Sequence, residues 1–104
     1  MKIPLEIVHI DLVGPTTTKG LKGERYFMLL VDDYTRMTIV FFLKNKSEDF
    51  ENFKIYKGMV EYEMDSKIKC LRYDNGGEFT SKKFMDYCSS HGIKRQFSIA
   101  RTPQ

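Results

Sequence analysis

Two acidic residues stand where a polypeptide could hold a divalent cation: Asp11, inside the apolar alternation Ile7 to Val13, and Asp74, where the run Lys67 to Tyr73 ends. Asp74 opens the stretch Asp74-Asn75-Gly76-Gly77-Glu78-Phe79, and Asn-Gly is a strong hairpin signal, so a tight turn is one reading of it. A hairpin needs a second strand, however, and the next segment, Ser81 to His91, is capped and helically periodic. A calcium loop fails as well, because the EF-hand pattern needs glycine at its sixth position and Phe79 stands there. The remaining reading is an acid at the C-terminal edge of a strand, with glycines that let backbone or substrate come close. Carboxylates brought side by side repel unless a cation compensates, and hard oxygen donors favour Mg2+ or Mn2+. A pair of such ions about 3.5 to 4 Å apart can clamp the attacking and leaving oxygens of a phosphodiester displacement.

The elements that must position these acids are read from periodicity. Ile7 to Val13 alternates, with Val8, Ile10 and Leu12 on one face and His9 and Asp11 on the other, and Gly14-Pro15 ends it. Arg25 to Val31 and Met37 to Leu43 are nearly continuous apolar runs of the kind covered on both faces, and the short link between them makes an antiparallel hairpin. Ser47 reads as an N-cap, with Glu48, Asp49 and Glu51 in the first turn. It opens a helix of about 17 residues that buries Phe50, Phe53, Tyr56, Val60 and Met64. Lys67 to Tyr73 returns as a strand, parallel by a right-handed crossover, which puts Asp74 at its C-terminal end. A second helix begins near Ser81, turns Phe84, Tyr87 and Cys88 inward and stops at Gly92, before a last short strand from Ile93 to Ile99. The expected architecture is α/β: a mixed sheet of about five strands, the first three antiparallel, with helices on its faces, in one domain over residues 1–104.

Composition narrows the class. With 41% apolar and 13% aromatic residues the chain can bury a core, and no window approaches a membrane span. No apolar signal segment comes after Met1, so the expectation is an intracellular protein that is not secreted, with Cys70 and Cys88 as reduced core thiols. Two cysteines and two distant histidines do not make a zinc site. The net charge of +3 is unevenly spread: residues 1–66 hold nine basic and eleven acidic side chains, residues 67–104 eight basic and three acidic. The excess of base in the second part fits a polyanion-facing surface, or simply a solvated lysine-rich face. Asp32-Asp33 reads as part of the hairpin rather than as ligands, and His9 and His91 as strand-face and helix-end residues.

Taken in order, HIDLVGP at 9 to 15, FMLLVDDYTR at 27 to 36, LKNKSEDFENFK at 43 to 54, LRYDNGGEF at 71 to 79 and RTPQ at 101 to 104 resemble the integrase catalytic core of copia-type long-terminal-repeat retrotransposons. The resemblance runs through nearly the whole chain. It implies a ribonuclease H-like fold, a place in a Pol polyprotein, and an Asp, Asp, Glu triad that holds two divalent ions. Asp11 matches the first catalytic carboxylate, bridging both ions, and Asp74 the second. The activity implied for the intact protein is hydrolysis of element ends and transfer of their 3′ hydroxyls into target DNA. Implied partners are DNA, as element ends and as target, and further copies of the protein, with no membrane and no small-molecule cofactor. The place of work that the resemblance implies is the nucleus.

In that family the Glu lies farther along, on a helix past a TPQQNG-like loop, and this chain reaches Gln104 within that loop. Glu78 belongs to the GGEF motif, too close to Asp74 to substitute. The fold is therefore expected to be C-terminally truncated, with the chain alone holding metal weakly and joining no DNA. Two departures are expected to alter local substrate contacts: Tyr73 where the family has a small residue, and Arg101 where it has an aromatic one. Two further readings share these residues. One is a catalytically dead remnant that binds nucleic acid or divalent metal weakly. The other is a phosphoacceptor receiver domain, which needs a helix after its acidic pair, whereas only Tyr34-Thr35-Arg36 separates Asp33 from the next strand.

Overall fold

Alternation along the first strand sets the two faces of the fold. β1, Val8–Val13, buries Val8, Ile10 and Leu12, while His9, Asp11 and Val13 stay half-buried on the opposite face. The computed structural model describes residues 3–16, 23–74 and 81–98, with residues 74, 97 and 98 as backbone alone. β2, Tyr26–Asp32, and β3, Thr38–Leu43, form the expected hairpin, and β2 also pairs antiparallel with β1. β4, Cys70–Asp74, runs parallel to β1 on its other side, and β5, Lys94–Ser98, runs parallel to β4 at the edge. The order β3-β2-β1-β4-β5 makes the two acid-bearing strands neighbours. This is the five-stranded mixed sheet that the sequence implies.

Both helices pack on one face. α1, Asp49–Met64, contributes Phe53, Tyr56 and Val60, and α2, Lys82–Ser90, contributes Phe84 and Cys88 to a single core with Val8, Ile10, Met28, Leu30, Leu71 and Tyr73. The helices meet through Phe53 and Phe84, stacked at 5.0 Å between ring centroids. Ser81 caps α2 as expected, its hydroxyl accepting from the Phe84 N–H. The start of α1 differs from expectation. Ser47 lies inside a 3-10 turn, Lys46–Glu48, with Asn45 as its cap. The Glu48 carboxylate reaches back to the N–H groups of Lys44 and Asn45, at 3.4 and 3.3 Å. The acid three residues past Asn45 thus closes a turn ahead of the helix, and α1 begins after Glu48 rather than after Ser47.

Two other expectations are corrected. β4 starts at Cys70 rather than Lys67, because the preceding backbone is tied elsewhere: Ile68 N–H donates to Glu61 Oε2 at 2.8 Å and Lys69 N–H to the Leu5 carbonyl at 3.0 Å. The apolar runs of the hairpin are covered on one face only among the described residues, leaving Val40 40% and Phe42 68% exposed. A continuous apolar run marks a strand that could be buried twice, but burial also requires a second layer. Cys70 and Cys88 are free and buried, and burial pushes the Cys88 thiol up to about 11. No described helix is long and apolar enough to cross a membrane.

Candidate metal-binding site

Register decides where the two acids stand. β1 and β4 pair Val8 with Leu71, His9 with Arg72 and Ile10 with Tyr73. One step further, the same register sets position 11 beside position 74, the last residue of β4. Neighbouring strands lie about 4.8 Å apart, so position 74 is the backbone neighbour of Asp11, which stands half-buried on the face away from the helices. Two hard oxygen donors at adjacent register positions fit Mg2+ or Mn2+ and not a soft metal. The expected approach of the two carboxylates involves the Asp74 side chain, which lies outside the described residues, as do Glu78 and Arg101. Among the described residues, no three His, Cys, Asp or Glu side chains converge to hold an ion.

The face that carries the acids is divided. β2 and β3 present Phe27, Leu29, Val31, Val40 and Phe42, whereas β1, β4 and β5 present His9, Asp11, Arg72, Lys94 and Gln96. His9 donates from Nε2 to Asp33 Oδ1 at 2.9 Å, fastening β1 to the turn after β2. Arg72 Nε donates to Gln96 Oε1 at 3.3 Å, fastening β4 to β5. Neither contact was anticipated from the sequence. The period-two pleat of LRYD does place Arg72 on the face of Asp74, and that signal was present.

Asp32 has no place in this site. It is fully buried and accepts from the Leu5 N–H at 2.9 Å, the Thr35 N–H at 3.1 Å and the Thr35 hydroxyl at 2.8 Å. A carboxylate so fully occupied closes the hairpin turn and anchors the N-terminal segment. Tyr73 also turns away. It is buried in the core against Phe84, ring centroids 6.4 Å apart. Burial first, then the neighbouring Cys88, holds its phenol above the usual tyrosine range. The bulk of Tyr73 therefore changes the core beneath the site, and the expected effect on substrate contacts through this residue is withdrawn. His91 ends α2 exposed, stacked on Tyr87.

Comparison with known proteins agrees with this arrangement. The Integrase core domain family matches residues 2–103. The Retrovirus-related Pol polyprotein from transposon TNT 1-94 of Nicotiana tabacum is 42% identical over 100 residues, a stretch that covers 96% of this chain and 8% of that polyprotein. The chain thus spans a small part of the curated relatives it matches. Among solved structures, the simian T-cell lymphotropic virus intasome gives a TM-score of 0.72 at 17% identity, over 97% of this chain and 34% of that one. The HTLV-2 integrase catalytic core domain, in complex with magnesium and in a dimeric form, gives 0.67 at 21% identity, over 91% of this chain and 61% of that one. At such identities the likeness speaks for the fold, a ribonuclease H-like one. Five strands in this order, two acids in register and a family match from end to end have one common account: the chain belongs to the integrase core domain family, in the form carried by Pol polyproteins of copia-type retrotransposons.

Proposed function

We propose that this chain is the catalytic-core segment of a retrotransposon integrase, acting in the intact protein as a two-metal polynucleotidyl transferase on element ends and target DNA. The observation that supports the reading is the β1–β4 register, which continued one step past Ile10 and Tyr73 makes positions 11 and 74 neighbours on adjacent strands. Asp11 and Asp74 would hold Mg2+ or Mn2+, and such ions supply Lewis-acid polarisation of a phosphoryl oxygen and an activated attacking oxygen. The chain's own part is to fix the two carboxylates on adjacent strands of a rigid sheet, which keeps the reorganisation needed on metal binding small. Self-association, as in the dimeric form of the HTLV-2 core, and work on DNA in the nucleus belong to the same proposal.

The test is strand joining by the integrase polypeptide that carries this segment, with a preprocessed element end and a plasmid target in Mn2+. Asp11→Asn and Asp74→Asn should each reduce joining at least a hundredfold, the scale of losing one electrostatic stabiliser of a transition state. Asp33→Asn should retain joining. Undiminished joining by Asp11→Asn would remove the basis of the assignment.

A further inference from the structure

The polar half of the site-bearing face holds an exposed cation, Arg72, whose one hydrogen bond among the described residues is the tie to Gln96. Arg72 stands in register between His9 on β1 and Gln96 on β5, two residues before Asp74. Strand rise puts it about 6.6 Å along the same face. Its side chain is exposed, and among the described residues its hydrogen bonding is to Gln96, with no carboxylate in ion-pair range. The bond to Gln96 engages Nε, and the two terminal nitrogens carry four further N–H donors that no hydrogen bond among the described residues engages. Lys94 is exposed beside it, and the charges of both cations oppose in part the upward push that burial gives the Cys70 thiol.

We propose that Arg72 anchors a nucleic-acid phosphate next to the Asp11–Asp74 pair, with Gln96 orienting its guanidinium and Lys94 adding a second positive charge. This rests on the DNA reading above and goes beyond it in naming the residue that seats the backbone. A forked guanidinium held at Nε matches phosphate geometry, and it keeps its charge at every working pH. Two carboxylates repel a polyanion, so a cation one pleat away offsets that repulsion where the strand must pass. The neighbouring half of the face is apolar and offers no such contact.

The experiment measures binding of a fluorescein-labelled 20-base-pair duplex to the 104-residue chain by anisotropy, from 50 to 200 mM salt and without divalent metal. Neutralising one phosphate contributes about 0.9 to the slope of log K against log salt, so Arg72→Gln should lower the slope by about 0.9 and weaken binding about eightfold at 0.1 M. Arg72→Lys keeps the charge and should keep the slope while losing affinity through the missing fork. Lys83→Gln, exposed on α2 across the sheet, should change neither. If the wild-type chain binds and Arg72→Gln matches it in slope and affinity, the inference is wrong while the DNA reading stands. If Arg72→Lys loses the slope as well, charge neutralisation is not what Arg72 does. If the wild-type chain does not bind the duplex at 50 mM salt, the DNA reading falls, and this inference with it.

Discussion

The first residue of α1 should weaken the protein at neutral pH. Asp49 is 7% exposed, and burial pushes its carboxyl up from 3.8 to about 6, against the opposing pull of backbone N–H groups of Phe50 and of Asp49 itself. The folded state therefore holds this proton more tightly than the unfolded chain does. Its contribution to stability is full below pH 3.8 and is lost as pH rises through about 6. A tenfold change in proton affinity is worth about 1.4 kcal/mol, so the loss amounts to about 3 kcal/mol by pH 7.5. The N-terminal position returns part of it, since a charged acid in the first turn gains about 0.3 to 1 kcal/mol from the helix dipole. Asn at this position cannot ionise and keeps an acceptor for the same N–H groups. Asp49→Asn is thus expected to be more stable by about 2 kcal/mol at pH 7.5, roughly 10 °C in Tm for a domain of this size, and nearly equal to the parent at pH 4. Urea denaturation of both proteins at the two pH values measures the difference. A variant that is weaker at pH 7.5, or shifted equally at both pH values, would show that the charged carboxylate stabilises α1 and that its burial costs little.

Other perturbations separate structural acids and hydroxyls from functional ones. Asp32→Ala removes the acceptor for the Leu5 and Thr35 N–H groups and should cost about 3 kcal/mol or more in chemical denaturation, a change under about 1 kcal/mol being the contrary result. Tyr56→Phe should be neutral or stabilising by about 1 kcal/mol, because the Tyr56 hydroxyl is buried with no hydrogen-bond partner among the described residues; a clear loss of Tm would reveal a partner for it.

The order of elements along the chain was legible because it depends on short-range signals. Val8, Ile10 and Leu12 alternate with His9 and Asp11, the link after Val31 is too short for anything but a hairpin, and helical spacing from Phe50 to Met64 separates β3 from β4. Local competition was less legible. Glu48 bonds back to the Asn45 N–H and closes a 3-10 turn over Ser47, and Glu61 captures the Ile68 N–H that would have lengthened β4. Both outcomes turn on a side chain reaching a backbone group, which propensity does not rank. Burial of the hairpin was overread for a different reason: Phe42 and Val40 are as apolar as core residues, but one face of their strand has no described layer over it.

Face assignment is where sequence and structure together go furthest. Tyr73 directly precedes Asp74 in sequence but is buried in the core, so a departure that looked like a change to the site is a change to the core. Arg72 and position 74 are separated by that tyrosine and alternate with it along β4. The same alternation links His9 with Asp11 and Gln96 with position 98, so the register brings these polar positions into two adjacent rows across β1, β4 and β5. One row holds the acids and the other Arg72 with its neighbours His9 and Gln96. A sheet that packs its helices on one face is free to vary the other for chemistry. Here the two rows set Arg72 about one pleat from position 74, an arrangement that would suit a polyanion held by its backbone beside the proposed metal site.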